Sequence, residues 1–339
     1  MKLKGRYLLV LAAYLCSTFL SAQEKQPSSQ LFRIGFYNCE NYFDSINDTT
    51  SVGDDEYIPT GGRHWSSKRY ASKRNNLYKA ILGIGEGAPP DIIGFSEVEN
   101  LDVLENLAYN TPLKKIGLEI IHKDSPDPRG IDIALFYRKS SFRPIQYDYI
   151  PMETSAHARE ILYVEGVANG SDTIHLFVNH WPSRIRLQEA ERQRVAIAKL
   201  LLNKIRMIRA HNVFAKIVLM GDFNDEPTDR SLCIIGKKDE IRDTTDRLIN
   251  LSYSWKNEET GTLKHNGMWQ IFDQILVTPA CLHGHGVIVA NAHIVRLPFL
   301  LEKDTRFLGS RPHRTFYGFK YTNGFSDHLP VVLELKRSQ

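Results

Sequence analysis

Short apolar runs, each bordered by a polar cluster able to do chemistry, recur along this chain. Residues 31–37 lead into Asn38-Cys39-Glu40-Asn41, and Asp91-Ile92-Ile93-Gly94-Phe95 leads to Glu97. Residues 174–178 end at Asn179-His180-Trp181-Pro182-Ser183-Arg184, and residues 216–220 end at Gly221-Asp222-Phe223-Asn224. The apolar run at 329–333 follows Ser326-Asp327-His328, and Asp273 lies inside Ile271-Phe272-Asp273-Gln274-Ile275-Leu276-Val277. Runs of this length, rich in β-branched and aliphatic residues, predict strands. Strands that end in carboxylate, amide or imidazole let a rigid sheet aim those groups into one cleft. Residues 131–137 predict a further strand, nearly continuous in its apolar character.

Helical spacing marks three other segments. Trp65–Gly83 carries Tyr70, Leu77, Ile81 and Leu82 on one face, and Leu101–Leu107 predicts a short helix. Leu187–Ala210 is the clearest, with Ala190, Val195, Ala198, Leu201, Leu202, Ile205 and Ile208 in register and Arg192, Arg194, Lys199 and Lys204 elsewhere. Residues 45–62 and 231–269 are expected to be loop-rich, and 298–319 reads as a basic, aromatic insertion. Strands and helices mix without a strict βαβ rhythm, which predicts an α+β domain with sheet cores.

Composition changes the picture at the N-terminus. Lys2, Lys4 and Arg6 precede a mostly apolar stretch from Tyr7 to Leu20, and Ser21-Ala22 offers small residues for cleavage. Residues 1–22 are therefore expected to be an export signal, 23–30 a solvated leader, and 31–337 the domain. The apolar stretch is short for a membrane anchor, and no other run approaches that length. Cys16 invites a lipoprotein reading, but bulky Leu15 stands where a small residue belongs, so a free exported form is favoured. The formal charge of +4 falls to +1 without the signal, 40 basic against 39 acidic side chains. Net charge thus gives no support for tight, sequence-independent nucleic-acid binding. Cys39, Cys233 and Cys281 remain, three thiols that cannot all pair with one another.

Singly, each polar cluster has an ordinary structural explanation. A strand-end glutamate such as Glu97 is commonly a solvated terminus, and Asp222-Phe223-Asn224-Asp225-Glu226-Pro227 has the composition of a turn. Asp273 is different, because a charge set between Phe272 and Ile275 is costly to bury unless it is paired. Trp65, Trp181 and Trp269 with Phe316, Tyr317 and Phe319 offer stacking faces, although such residues more often pack.

Taken together and in this order, the clusters at Asn38, Glu97, His180, Asp222-Asn224, Asp273 and Ser326-Asp327-His328 resemble the endonuclease/exonuclease/phosphatase superfamily. That superfamily includes deoxyribonuclease I, exonuclease III and the inositol polyphosphate 5-phosphatases, and the resemblance covers roughly residues 31–337. It implies a four-layer α/β/β/α sandwich, two packed mixed sheets flanked by helices. It also implies a divalent-metal-dependent phosphodiesterase, with nucleic acid the leading substrate. Asn38, Glu97 and Asp327 would then hold the metal, an all-oxygen set suited to Mg²⁺, or to Mn²⁺ or Ca²⁺. By the same resemblance His328, backed by Asp273, acts as general base, and Asp222 orients or helps deprotonate the water. Asn224 and His180 contact the phosphoryl group, and Arg184, four positions beyond His180, is expected to pair with phosphate. Asp132, Arg129 and Glu99 are further candidates to line the cleft. A monomer without an obligate protein partner is expected. A phosphomonoesterase, a sphingomyelinase-like enzyme and a non-catalytic surface binding protein remain alternatives.

Overall fold

A computed structural model describes residues 31–48, 53–152, 159–170, 172–239, 246–255, 257 and 259–338. The expected export signal and leader lie outside the described residues. Two large sheets form the frame. The first has six strands: β1 (Phe32–Tyr42), β2 (Ile92–Val98), β3 (Leu118–His122), β4 (Asp132–Arg138), β14 (Val287–Ile294) and β19 (Val331–Arg337), in the order β14-β19-β1-β2-β4-β3. The second has seven: β5 (Phe142–Pro151), β6 (Glu160–Ala168), β7 (Asp172–His180), β8 (Lys216–Asp222), β9 (Gly236–Lys237), β10 (Leu248–Asn250) and β13 (Asp273–Val277), in the order β5-β6-β7-β8-β13-β10-β9. Both are mixed: β1–β2 and β7–β8 run parallel, while β1–β19 and β8–β13 run antiparallel.

The continuous apolar character of the central strands follows from burial on both faces. Ile34, Phe36, Leu135 and Leu333 of the first sheet meet Leu176, Val178, Val218, Met220 and Ile275 of the second in the core between them. Alternate residues turn outward. Tyr37, Ile93, Phe95 and Phe136 pack under α1 (Ser67–Ile84) and α2 (Leu101–Tyr109). Phe177, Ile217 and Leu219 pack under α3 (Leu187–His211) and α4 (Arg230–Ile235). The result is a four-layer sandwich, as in deoxyribonuclease I. Side-chain caps start α1 and α2: Ser66 accepts from the Arg69 amide at 3.4 Å and Asn100 from the Val103 amide at 3.0 Å.

Gly94 of β2 marks where the sheets come closest. A Cβ there would lie 2.9 Å from Val178 Cγ1 and 3.0 Å from Met220 Cε, so any larger residue would push the sheets apart beside the strand ends. The segments expected to be loops hold more structure than their composition suggests. Residues 231–269 supply most of α4, β9, β10 and part of a hairpin, β11 (Leu263–His265) with β12 (Met268–Gln270). Residues 298–321 form two further hairpins, β15 (Leu301–Lys303) with β16 (Ser310–Pro312) and β17 (Phe316–Tyr317) with β18 (Lys320–Tyr321). These elements have two or three residues each, too few for any period to show in the sequence.

Candidate active site

Strand register brings the polar clusters to one end of the sandwich. In the second sheet His180 pairs with Asp222 across β7–β8, and Asp222 with Asp273 across β8–β13, so three functional side chains stand in adjacent strands. In the first sheet Asn38 pairs with Ser96, and Glu97 occupies an irregularity between Ser96 and Val98. That bulge, with φ +58° at Glu97, turns the carboxylate away from the ladder. Gly221 is required where β7 and β8 close: its φ is +152° and a Cβ would sit 2.2 Å from the Asn179 carbonyl oxygen.

Direct contacts join the two sheets. Asn38 Nδ2 donates both to Glu97 Oε1 at 3.2 Å and to Asp222 Oδ2 at 3.1 Å. The Asn41 amide donates to Glu97 Oε2 at 3.0 Å. Ser326 Oγ donates to the Asn38 carbonyl at 2.7 Å and accepts from the His328 amide at 3.1 Å, which fixes the segment before β19 against β1. His328 Nδ1 meets Asp273 Oδ2 at 2.7 Å, while its Nε2 lies 3.8 Å from Asp222 Oδ2. His180 Nε2 lies 3.6 Å from Glu97 Oε1 and 3.8 Å from Asp222 Oδ2.

The two imidazoles titrate in opposite directions. Burial, then the charges of Arg159 and Arg129, hold His180 well below the ordinary histidine range, so it is neutral. Burial also works against a charged His328, but Asp273 and then Asp222 outweigh it and hold its pKa well above the ordinary range. Asp222 is pushed up by burial, a shift that His328 moderates.

Residues 33–337 match the sequence profile of the Endonuclease/Exonuclease/phosphatase family. The chain belongs to that family. No curated protein matches it. Solved structures with the same fold include humanized D. rerio TDP2, at 14% identity and TM-score 0.57, covering 90% of this chain and 99% of that one. The human Nocturnin catalytic domain with bound sulfate follows at 16% and 0.56, covering 91% of this chain and 95% of that one. A family protein from Bacteroides thetaiotaomicron is similar at 16% and 0.56, with 91% and 99% covered. As a member of the endonuclease/exonuclease/phosphatase family the protein is a metal-dependent phosphoric ester hydrolase.

The donor set fits such a hard cation. Among the described residues Glu97 is touched by two amides and neighbours one neutral imidazole, and no lysine or arginine bonds to it. Asp327 keeps one oxygen on Arg314 at 3.0 Å, and that charge, against burial, holds its carboxyl below the ordinary range. Among the described residues one group of potential ligand atoms within 4.8 Å of one another is Asp222, Asp273 and His328. There the 2.7 Å hydrogen bond already joins two of the three, so a dyad describes them better than a cation cage. A second group, His122, Asp124 and Asp132, is likewise committed: Asp132 holds His122 at 2.8 Å and the Ser125 amide at 2.8 Å. A cavity of about 950 Å³ opens at the opposite end of the second sheet, beside Asp172 and Lys216 where β7 and β8 begin.

The remaining candidates sit in varied surroundings. Arg184, expected to pair with phosphate, has most of its donors on the protein: Nε donates to the Asn224 carbonyl at 2.9 Å, Nη2 to Asp225 at 3.2 Å and to Asp229, and the guanidinium covers Phe272. It braces the turn after β8. Asn224, at φ +50°, donates its backbone amide to Asp222 Oδ1 at 3.0 Å and one Nδ2 hydrogen to the Trp181 carbonyl at 3.0 Å, which leaves its second Nδ2 hydrogen for a ligand. Trp65, Trp181 and Trp269 are buried packing residues rather than stacking faces. Glu99 binds the Asp44 amide at 2.7 Å, away from the imidazoles.

Sequence reading missed Arg159, whose Nη1 donates to the His180 and Trp181 carbonyls at 3.1 and 3.0 Å and whose Nε reaches Asp127 at 2.9 Å. Asp127 also holds Arg129 at 2.9 Å, and Arg129 remains half exposed. No strand-end signal flags either arginine, because both arrive from loops.

Proposed function

We propose that the protein is an exported phosphodiesterase using Mg²⁺ or Mn²⁺, with nucleic acid as its substrate. The observation that carries this reading is that the Asp273–His328 dyad, itself spanning the two sheets, lies beside Asp222 of the second sheet, which Asn38 of the first sheet bonds together with Glu97. Water attacks phosphorus in line and the ester oxygen leaves. His328 Nδ1 is committed to Asp273, so in the neutral form, populated as pH rises toward its raised pKa, Nε2 is the atom that takes the water's proton, with Asp222 beside it as orienting group. Neutral His180 donates a hydrogen bond to a phosphoryl oxygen without adding charge. The second Nδ2 hydrogen of Asn224 reaches the same group. Arg129, anchored by Asp127 and near enough to His180 to shift its pKa, supplies the phosphate-binding charge expected of Arg184. Glu97, Asn38 and Asp327 would hold a divalent ion there, which would supply charge to offset the negative phosphoryl oxygens.

The β17–β18 hairpin supports the substrate class. Arg314 and Thr315, just before it, bond to Glu40 beside the site, and its exposed Phe319 and Tyr317 lie under Arg63 and Arg311. Aromatic faces edged by arginine suit the bases and phosphates of a single strand. D. rerio TDP2 has been crystallised with a single-strand DNA product, at 13% identity to this chain and TM-score 0.56. A gel assay on plasmid, linear DNA and RNA, with and without EDTA, tests the reading: EDTA-sensitive cleavage is expected. Intact nucleic acids alongside hydrolysis of sphingomyelin or an inositol phosphate would contradict it. Export is tested on protein from the producing cells, where an N-terminus at Gln23 supports it and one at Met1 contradicts it.

A further inference from the structure

Glu40 is a buried acid that the hydrolysis above leaves unused, and it points at Arg314. Left-handed torsions at Glu40 (φ +48°) and Asn41 (φ +51°) curl the end of β1 to aim it. Such torsions are unfavourable in residues other than glycine, so surrounding contacts must hold them. Glu40 Oε1 accepts from Arg314 Nε at 3.1 Å and Oε2 from the Thr315 amide at 2.6 Å. On the same edge of the guanidinium, Nη2 donates to Asp327 Oδ2 at 3.0 Å. Beneath this bridge Lys73, 1% exposed, donates to Thr315 Oγ1 at 2.6 Å and to the Phe325 carbonyl, fixing both flanks.

The acids of the cleft therefore fall into two sets. Glu40 and Asp327 bond to one permanent, non-titrating guanidinium with the Lys73 ammonium close behind, whereas Glu97 among the described residues is bonded by amides and by no cation. One guanidinium between two carboxylates does electrically what a second metal ion would do there. We propose that Arg314 is a built-in second cation, so that the cleft takes one divalent ion, on the Glu97–Asn38 side, and Asp327 faces it with Oδ1 only. This rests on the reading of the cleft as a divalent-cation site.

Calorimetric titration of the full chain with Mn²⁺ tests it without recourse to activity, each variant being checked by thermal melting. One ion per wild-type chain is expected. Arg314→Gln should bind Mn²⁺ at least about tenfold more tightly, close to 1.4 kcal/mol, or take a second ion. Arg314→Lys, which keeps the charge, should stay at one ion. Glu40→Gln leaves Arg314 wholly on Asp327 and should weaken Mn²⁺ binding; should Arg314→Gln not fold, the sign of this effect decides, and tighter binding overturns the proposal. Two ions in the wild type, or unchanged or weaker binding by folded Arg314→Gln, overturn it and leave the metal-dependent reading intact. No Mn²⁺ binding by the wild type overturns both.

Discussion

Glu97 reaches the cleft through one backbone torsion. Its φ of +58°, on a bulge at the end of β2, sends the carboxylate toward Asn38 instead of along the alternation of the strand. Asn224 does the same after β8 at φ +50°. Strain of this kind in residues other than glycine belongs to sites where surrounding bonds over-determine the geometry. His328 carries the second consequence at this scale. Its folded pKa lies above the unfolded value of about 6.5, so proton binding favours the folded state. That stabilisation is whole below about pH 6.5 and is lost as pH climbs through the higher folded value. In EDTA, the melting-temperature gap between wild type and His328→Gln should therefore narrow between pH 6 and pH 9. A gap that is constant or widens over that range would show that the Asp273 contact does not hold the proton.

Elements were legible in proportion to their length. Central strands buried on both faces, such as β7 and β8, appear as unbroken apolar runs, and the 25-residue α3 shows its stripe clearly. Their terminal polar residues were expected at strand ends, and the parallel pairing of β7 with β8 is what sets His180 opposite Asp222. What could not be read came from loops and short hairpins. Arg159 lies in no periodic pattern, the anchoring of the cleft candidate Arg129 by Asp127 is set by a loop, and the pairing of Arg184 with Asp225 and Asp229 depends on how a turn folds back. Arg314 sits between two strands of two or three residues and is 274 positions from Glu40, a contact no local spacing announces. The outer helices should matter to stability more than to chemistry. Leu201 of α3 is fully buried against the second sheet, so Leu201→Ala should cost about 2–5 kcal/mol in urea unfolding. A loss under about 1 kcal/mol would mean that this layer packs less tightly than described.

At the scale of the whole molecule, the site exists because two sheets pack with their functional strand ends on the same side. Neither sheet is sufficient: Asn38 and Glu97 come from the first, His180, Asp222 and Asp273 from the second. Gly94 sets the gap between them, and Ser326 ties the His328 segment to β1. Among the described residues no helix is long and apolar enough to cross a membrane. The most direct measurement is turnover of bis(p-nitrophenyl) phosphate with Mg²⁺ or Mn²⁺ by wild type and by Glu97→Gln. Hydrolysis abolished by EDTA, and reduced at least about a hundredfold by a Glu97→Gln protein that melts like the wild type, is expected. Turnover that survives both the chelator and the substitution would contradict a cation-dependent centre built across the two sheets.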